Sequence, residues 1–129
     1  MSESENRRLV EQLWEHFDAF DFAAVAPLLH DDFVCEWPQS RERIRGRDNY
    51  IAVNQHYPGR WRIAIQRLVV SEDGVATQVR LESEGSVVHA ASFFEFRDCK
   101  IVKQVDWWPE PSPTPEWRAR WVERMDGDD

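Results

Sequence analysis

The apolar residues of this chain change their spacing near Trp61, and no other feature of the sequence restricts the fold as much. Before Trp61 they recur at helical intervals, as Leu13 and Phe17 do. After it they alternate with a period of two, and turn signals such as Asp73-Gly74 separate the runs. Helices followed by hairpin-linked strands predict an α+β fold, with helices on one face of an antiparallel sheet.

The predicted elements follow from periodicity and from the turn residues between them. Helices are predicted over residues 6–20, 22–29 and 49–57, with a short C-terminal helix that begins near residue 115. Strands are predicted over residues 33–37, 41–45, 61–70, 75–82, 87–96 and 101–108. A chain of 129 residues is long enough for one hydrophobic core. We therefore predict a single domain over residues 1–129, with a frayed tail at 126–129.

The composition argues against several classes of partner. A net charge of −8 does not suit binding to nucleic acid or to anionic membrane surfaces. The acidic start lacks the pattern of a signal peptide, and no apolar run could span a bilayer, so we expect a cytoplasmic protein. Cys35 and Cys99 both lie in apolar, strand-like stretches and are expected to be buried thiols. No zinc or nucleotide motif is present, and we expect neither a metal nor a cofactor.

Several stretches carry a resemblance to a known family. They read GRDN at 46–49, YPGRW at 57–61, SFFEFRD at 92–98 and DWWPE at 106–110. With the order of elements, they resemble SnoaL-like proteins of the NTF2-like superfamily. The resemblance implies a curved sheet wrapped as a cone around three N-terminal helices, with a pocket inside and a homodimer formed through the outer sheet face. Residues 87–96 are apolar at both parities, which agrees with a strand that is covered on both faces.

Asp106 is the first candidate for chemistry. It lies on the last strand between Val105 and Trp107, and a carboxylate in an apolar pocket has a raised pKa that suits acid/base work. In SnoaL-like cyclases and limonene-epoxide-hydrolase-like enzymes, an aspartate on this final strand carries the proton transfer, and the resemblance gives Asp106 that role. The alternative is a carboxylate at the sheet edge that is bonded to a nearby arginine.

A set of aromatic and amide side chains is expected to line the pocket and to bind its ligand. These residues are Trp14, Trp37, Tyr50, Asn54 and Trp108. Asn54 shares one helix stripe with two tyrosines and could hold a substrate carbonyl or a water molecule. The alternative is a buried amide that is satisfied by the backbone.

Epoxide hydrolases of this fold also need an arginine and an acidic residue, two positions apart, on an earlier strand. Arg80 and Glu82 have that spacing. Alternation, however, directs Thr77, Val79 and Leu81 inward, so Arg80 and Glu82 are expected to form a surface pair. This departure from the family pattern argues against epoxide hydrolysis.

The remaining charged groups have ordinary explanations. His89 is the one histidine inside a core-like strand, and we interpret it as structural. Residues 30–32 (HDD) resemble metal ligands, but neighbouring residues rarely converge on one ion, so solvated loop charges are expected. The arginines of residues 41–47 either steer an anionic group or pair with the acidic surplus.

Three functions remain open at this point. The first is a cofactor-free isomerase, cyclase, dehydratase or hydrolase that acts on a small apolar molecule with Asp106 as acid/base. The second is a non-catalytic ligand-binding domain with the same pocket. The third is a dimeric structural domain whose cavity is filled by Trp14, Trp37 and Trp108. An inward Asp106 without an arginine partner favours the enzyme.

Overall fold

The computed structural model describes residues 2–125, so the predicted frayed tail at 126–129 lies outside the described residues. Its α-helices are α1 (Glu3–Asp18) and α2 (Arg47–Gln55), and its 3-10 helices are Phe22–Ala24, Ala26–Leu28 and Glu116–Trp121. Its strands are β1 (Leu29–Trp37), β2 (Glu42–Arg45), β3 (Arg62–Val70), β4 (Val75–Ser83), β5 (Ser86–Arg97) and β6 (Lys100–Trp107). The predicted α+β class is confirmed.

Helix α1 forms the layer that covers the sheet. The side chain of Ser2 caps its N-terminus by accepting a hydrogen bond from the backbone N–H of Glu5 at 3.1 Å. Its apolar stripe, including Leu13 and Phe17, is buried in the core. The chain leaves the helix through Phe20, which has a φ of 60°. Helix, sheet and core therefore form one packed unit.

The six strands form a single curved sheet in the order β2-β1-β6-β5-β4-β3. All neighbours are antiparallel except β1 and β6, which are parallel, whereas the sequence predicts an antiparallel sheet throughout. The difference arises because the chain crosses through α2 to the far edge before the meander begins. The meander then returns to β1, and the last strand of the sequence becomes a central strand of the sheet.

A bulge in β6 sets which of its residues face the core. Opposite β5, Glu95 pairs with Lys103 and its neighbour Phe96 pairs with Ile101, so Val102 is an extra residue in this ladder. Ile101 is therefore fully buried, and Gln104 is buried on the same side. Simple alternation predicts Val102 on that face, but Val102 is only half-buried.

Two of the predicted helices differ in kind from the observed elements. The helix predicted over 22–29 consists of two short 3-10 turns, because Pro27 lies within it and Leu29 already begins β1. The C-terminal helix is also 3-10, and Trp117 and Trp121 on it are 71% and 69% exposed. These two rings therefore do not pack on the body of the protein.

The two cysteines lie in different surroundings. Cys35 is buried as predicted, whereas Cys99 is exposed, because it lies in the tight turn between β5 and β6 with a φ of 62°. Within residues 2–125, none of the helices combines the length and the apolar character that crossing a lipid bilayer requires.

Candidate functional site

A cavity of about 550 Å³ lies between the helices and the concave face of the sheet. All the residues that the sequence predicts for the pocket line it: Trp14, Trp37, Tyr50, Asn54, Asp106 and Trp108. Phe17, Phe22 and Trp61 add further aromatic wall. The tryptophan rings thus form the wall of an open cavity, and they do not fill the cone.

The lining of this cavity carries acidic groups and no basic ones. Asp106 lies on β6, and Glu110 lies just beyond that strand. Among the lining residues that the structure describes there is no lysine, arginine or histidine. The cavity therefore offers no positive charge to an anionic ligand.

The carboxylate of Asp106 accepts hydrogen bonds from four neutral donors. Oδ1 accepts from Oγ of Ser92 at 2.6 Å and from Nε2 of Gln104 at 2.8 Å. Oδ2 accepts from Nε1 of Trp37 at 3.0 Å and, more weakly, from Sγ of Cys35 at 3.5 Å. The strands position these donors, because Ser92 is the direct partner of Asp106 across β5 and β6, and Cys35 and Trp37 lie on the neighbouring β1.

Burial dominates the electrostatics of Asp106. Its side chain is buried, with 8% of its surface exposed, and this desolvation raises the pKa of Asp106 above that of an ordinary aspartate. The four hydrogen bonds act in the opposite direction and lower the pKa, but they do not cancel the effect of burial. Within residues 2–125 no ion pair involves Asp106, so the alternative of an edge carboxylate bonded to an arginine does not hold.

Gln104 is itself held from behind by Tyr50. The Tyr50 hydroxyl donates to Oε1 of Gln104 at 2.6 Å. The Tyr50 ring is buried between Phe17 and Phe33, with centroid distances of 5.7 and 4.7 Å. Burial raises the pKa of Tyr50 well above its ordinary value, so its hydroxyl keeps its proton.

Sequence reasoning placed Gln104 on the same strand face as Asp106, but it identified neither Gln104 nor Ser92 as a hydrogen-bond donor to Asp106. Gln104 is two positions before Asp106 on the same strand, and the period of two directs both side chains to one face. Ser92 needed the register between β5 and β6, which the sequence does not specify.

Asn54 lines the cavity but is also bonded to the backbone. Its Nδ2 donates to the carbonyl oxygen of Tyr50, one helical turn earlier, at 2.8 Å. A carboxamide has two N–H groups and an acceptor oxygen, and this bond uses one N–H. Both interpretations of Asn54 therefore agree with the structure.

The other charged candidates lie away from the cavity. Arg80 and Glu82 pair with each other, and neither lines the cavity, whereas Val79 is buried and Leu81 is in the cavity wall. His89 also lies outside the lining, directly opposite Arg80 on the next strand. The predicted surface pair is thus observed.

The basic patch of residues 41–47 is at least partly neutralised. Arg43 pairs with Glu36 at 2.9 Å, and Arg47 pairs with Asp31 at 3.0 Å.

Across residues 2–125 no cluster of histidine, cysteine and acidic side chains could hold a metal ion.

Comparison with known families agrees with this architecture. The model of the SnoaL-like domain family matches residues 10–104. The chain belongs to the SnoaL-like domain family. No protein of curated function matches this SnoaL-like domain significantly.

Solved structures with the same fold include relatives with different assignments. A protein from Kribbella flavida, provisionally assigned as a ketosteroid isomerase, is 30% identical with a TM-score of 0.89, over 98% of this chain and 93% of its own. An NTF2-like protein of unknown function from Burkholderia xenovorans is 31% identical with a TM-score of 0.81, over 95% and 97% of the two chains. An epoxide hydrolase from M. tuberculosis, described as LEH-like, is 26% identical with a TM-score of 0.69, over 83% and 84%.

Proposed function

We propose that this SnoaL-like protein is a cofactor-free acid/base enzyme that acts on a small apolar molecule, with Asp106 as the group that takes and returns a proton. One observation carries the proposal. A buried carboxylate in the wall of an aromatic cavity is surrounded by neutral donors and has no cationic partner among residues 2–125. A carboxylate with a raised pKa gains a proton at higher pH than an ordinary one, which is the property that acid/base catalysis uses.

Among the possible reactions, isomerisation by proton transfer needs the fewest groups. Asp106 would take a proton from a carbon beside a carbonyl group and return it to another carbon, so one C–H bond breaks and another forms. The negative charge that develops on the carbonyl oxygen needs a hydrogen-bond donor. Asn54 near the end of α2 and Tyr57 just after that helix both line the cavity, and they are our candidates. The Kribbella flavida relative supports this reaction class.

Cyclisation and dehydration use the same acid/base group and remain alternatives, whereas epoxide hydrolysis has less support. Its arginine and acidic pair would have to reach the cavity, and Arg80 and Glu82 lie outside it. The M. tuberculosis relative shares the fold but is less similar than the Kribbella flavida protein.

The lining also narrows the substrate. A cavity of about 550 Å³ lies in the range that suits an organic molecule of drug-like size. Its aromatic wall favours flat, apolar rings. The carboxylates of Asp106 and Glu110, without a basic partner in the lining, disfavour carboxylated or phosphorylated substrates. We therefore propose an uncharged ketone with an apolar ring system.

The second candidate function is ligand binding without chemistry. The observation in its favour is that four donors occupy the lone pairs of Asp106, as a purely structural buried carboxylate would also require. Both candidates share the same cavity and differ in whether Asp106 exchanges a proton with the ligand.

The two candidates are separated by Asp106→Asn, assayed against a panel of unsaturated cyclic ketones by absorbance and by hydrogen–deuterium exchange beside the carbonyl. We expect the rate to fall by about 10²–10⁴-fold, because Asn cannot accept the proton. Ligand affinity should stay within a few-fold, since the two side chains are close in size. Glu36→Gln is the matched control, because it neutralises a carboxylate on the outer face. If the natural protein binds these ketones without turning them over, or if Asp106→Asn keeps the full rate, acid/base catalysis by Asp106 is wrong. Ligand binding is then the remaining candidate function.

We also propose that the protein forms a homodimer through the outer face of the sheet. An apolar row crosses four adjacent strands in register and consists of Val69, Ala76, Phe93 and Val105. Val69 and Phe93 are 58% and 53% exposed, and Trp107 adds a ring that is 43% exposed. Exposed apolar surface of this kind is typical of interaction sites. A second copy would present the same row, as a two-fold interface requires.

A further inference from the structure

The hydrogen bonds behind Asp106 form a chain that ends at Tyr50. The Tyr50 hydroxyl donates to Gln104, and the Gln104 amide donates to Asp106, at 2.6 and 2.8 Å. All three side chains are buried. A buried polar group that loses its partner is strongly destabilising, so these three groups need partners in every protonation state that Asp106 adopts.

The observed orientation of the Gln104 carboxamide suits only the deprotonated form of Asp106, because its N–H group points at Oδ1. If Oδ1 of Asp106 gains a proton, its O–H points at the N–H of Gln104, and two donors then face each other. A half-turn of the Gln104 carboxamide removes the conflict. Oε1 of Gln104 then accepts from Asp106, and Nε2 donates to the Tyr50 hydroxyl, which accepts as readily as it donates.

The other partners of Asp106 differ in this ability. The indole N–H of Trp37 can only donate, so it must face an unprotonated oxygen. The hydroxyl of Ser92 can rotate and accept, but it has no second partner that would hold it in either orientation among the bonds observed in residues 2–125. Gln104 is thus the partner that has a second hydrogen-bonded arrangement. The Tyr50 hydroxyl lies on its far side and can bond to the carboxamide in both orientations.

We propose that Gln104, backed by Tyr50, is a positioning residue that reverses its carboxamide whenever Asp106 gains or loses a proton. The inference rests on the proposed function, since it gives the acid/base residue a way to change charge while Asp106, Gln104 and Tyr50 each remain in a hydrogen bond. It assigns Gln104 no contact with the reacting atoms.

Within the part of the chain that the structure describes, few other titratable groups face Asp106. Strand β1 presents the thiol of Cys35, and α2 presents the phenol of Tyr50. Burial raises the pKa of both groups, so neither loses its proton while Asp106 titrates. Strand β5 presents the neutral Ser92, and Glu110 lies further along the same cavity wall. The reversal of Gln104 therefore follows the charge of Asp106.

The direct test is an NMR titration of the whole protein without substrate. The side-chain carboxyl carbon of Asp106 and the side-chain amide of Gln104 are followed together against pH. We expect both signals to move with one midpoint. In Asp106→Asn the amide of Asn faces Gln104, because its oxygen must face Trp37, so the Gln104 signals should resemble the low-pH signals of the natural protein. Gln104 signals that do not move across the Asp106 midpoint, or an Asp106 midpoint that is not above that of an ordinary aspartate, would overturn the proposal.

Variants extend the test to catalysis. Gln104→Met keeps the length of the side chain but removes both hydrogen bonds, so the Asp106 midpoint should move to higher pH. Turnover should fall about tenfold, with KM nearly unchanged. Tyr50→Phe removes the hydrogen bond between Tyr50 and Gln104. It should also move the Asp106 midpoint to higher pH, but by less than Gln104→Met does. An unmoved midpoint in folded Gln104→Met, or in Tyr50→Phe if Gln104→Met does not fold, contradicts the proposal.

Thr77→Val is the matched control, since it removes a buried hydrogen bond from Trp14 at 3.2 Å that does not involve Asp106. It should leave the midpoint in place. If the Asp106 and Gln104 signals move together but no ketone is turned over, the positioning role stands and the proposed enzyme function fails. The two ideas can thus fail separately.

Discussion

Two carboxylates on the two faces of the sheet show how differently this fold treats the same chemical group. Asp106 faces the cavity, where burial raises its pKa. Glu36 pairs in register with Val105, one position from Asp106, but lies on the outer face. There it binds Arg43 at 2.9 Å and Lys103 at 3.5 Å, and the hydrogen bond from Arg43 lowers its pKa.

The contrast comes from strand alternation. Neighbouring positions on a strand point to opposite faces, so one step in register separates a buried carboxylate from a solvated one. The charge of the outer carboxylate is stabilised by partly exposed cationic side chains, whereas the inner carboxylate is bonded to buried or partly buried neutral donors. The second environment suits a group that gives and takes a proton, because no cation among residues 2–125 stabilises the charged form of Asp106.

The largest effect that we expect outside the cavity is on the outer face of the sheet, with Phe93→Glu. A charge at the centre of the apolar row should weaken the proposed dimer by roughly 30-fold or more, since a central interface residue is worth about 2 kcal/mol or more. The titration of Asp106 should not change. Analytical ultracentrifugation at micromolar concentration measures the association.

Val53→Glu is the control for this variant, because it places the same charge at an exposed apolar position on α2. If the natural protein sediments as a single chain, or if Phe93→Glu still sediments as a dimer, the outer face is not the interface. The two faces of the sheet would then differ in the environment of their carboxylates but not in a role in dimer formation.

A smaller effect is expected on the inner face from Trp37→Phe. Losing the indole N–H leaves Oδ2 of Asp106 with only the weak thiol donor, which should lower the free energy of unfolding by about 1–3 kcal/mol. It should also raise the pKa of Asp106 further. Trp108→Phe is the control, since its ring packs against Trp37 at 4.8 Å. Urea denaturation and the pH profile of turnover measure both quantities. Equal effects in the two variants would show that ring packing, and not the N–H, supports Asp106.

The smallest effect is the pH dependence of stability, and its sign should differ between the two carboxylates. The pKa of Asp106 is raised on folding, so the native state binds this proton more tightly, and the free energy of unfolding falls as pH rises through its titration. Asp106→Asn should remove that fall. The pKa of Glu36 is lowered, so its contribution is present above the ordinary pKa of glutamate and is lost as pH falls through the folded value.

Urea denaturation over a series of pH values measures these slopes. Glu36→Gln should change the slope only on the acidic side, and by less, because its partners are in solvent. Identical slopes for the natural protein and Asp106→Asn would mean that Asp106 has the same pKa in the folded and unfolded chain.

Local sequence patterns placed Asp106 and the aromatic side chains on the inward faces of their elements, and the family resemblance supplied the cavity that they line. Apolar stripes at helical spacing identified α1, and the period of two identified the strands of the meander. Asp106 and Trp108 are two positions apart and both line the cavity, as alternation predicts. These predictions succeed because each depends on residues within one element, whose geometry sets where the side chains point.

The partners of Asp106 could not be predicted, because they come from other elements. Cys35 and Trp37 are 71 and 69 positions away along the chain, and Tyr50 is 54 positions from Gln104. Their approach depends on the parallel pairing of β1 with β6, which follows from the crossover through α2.

By itself, the sequence determined the fold class, the inward face of the last strand and the aromatic character of the cavity. Periodicity and side-chain type encode these features, and both act over a few residues. Only the tertiary structure decided the bulge at Val102, the exposure of Cys99 and the four donors that surround Asp106. Each of these depends on strand register, and register is an energy balance over the whole sheet, in which a shift of one residue exchanges the buried and the solvated face.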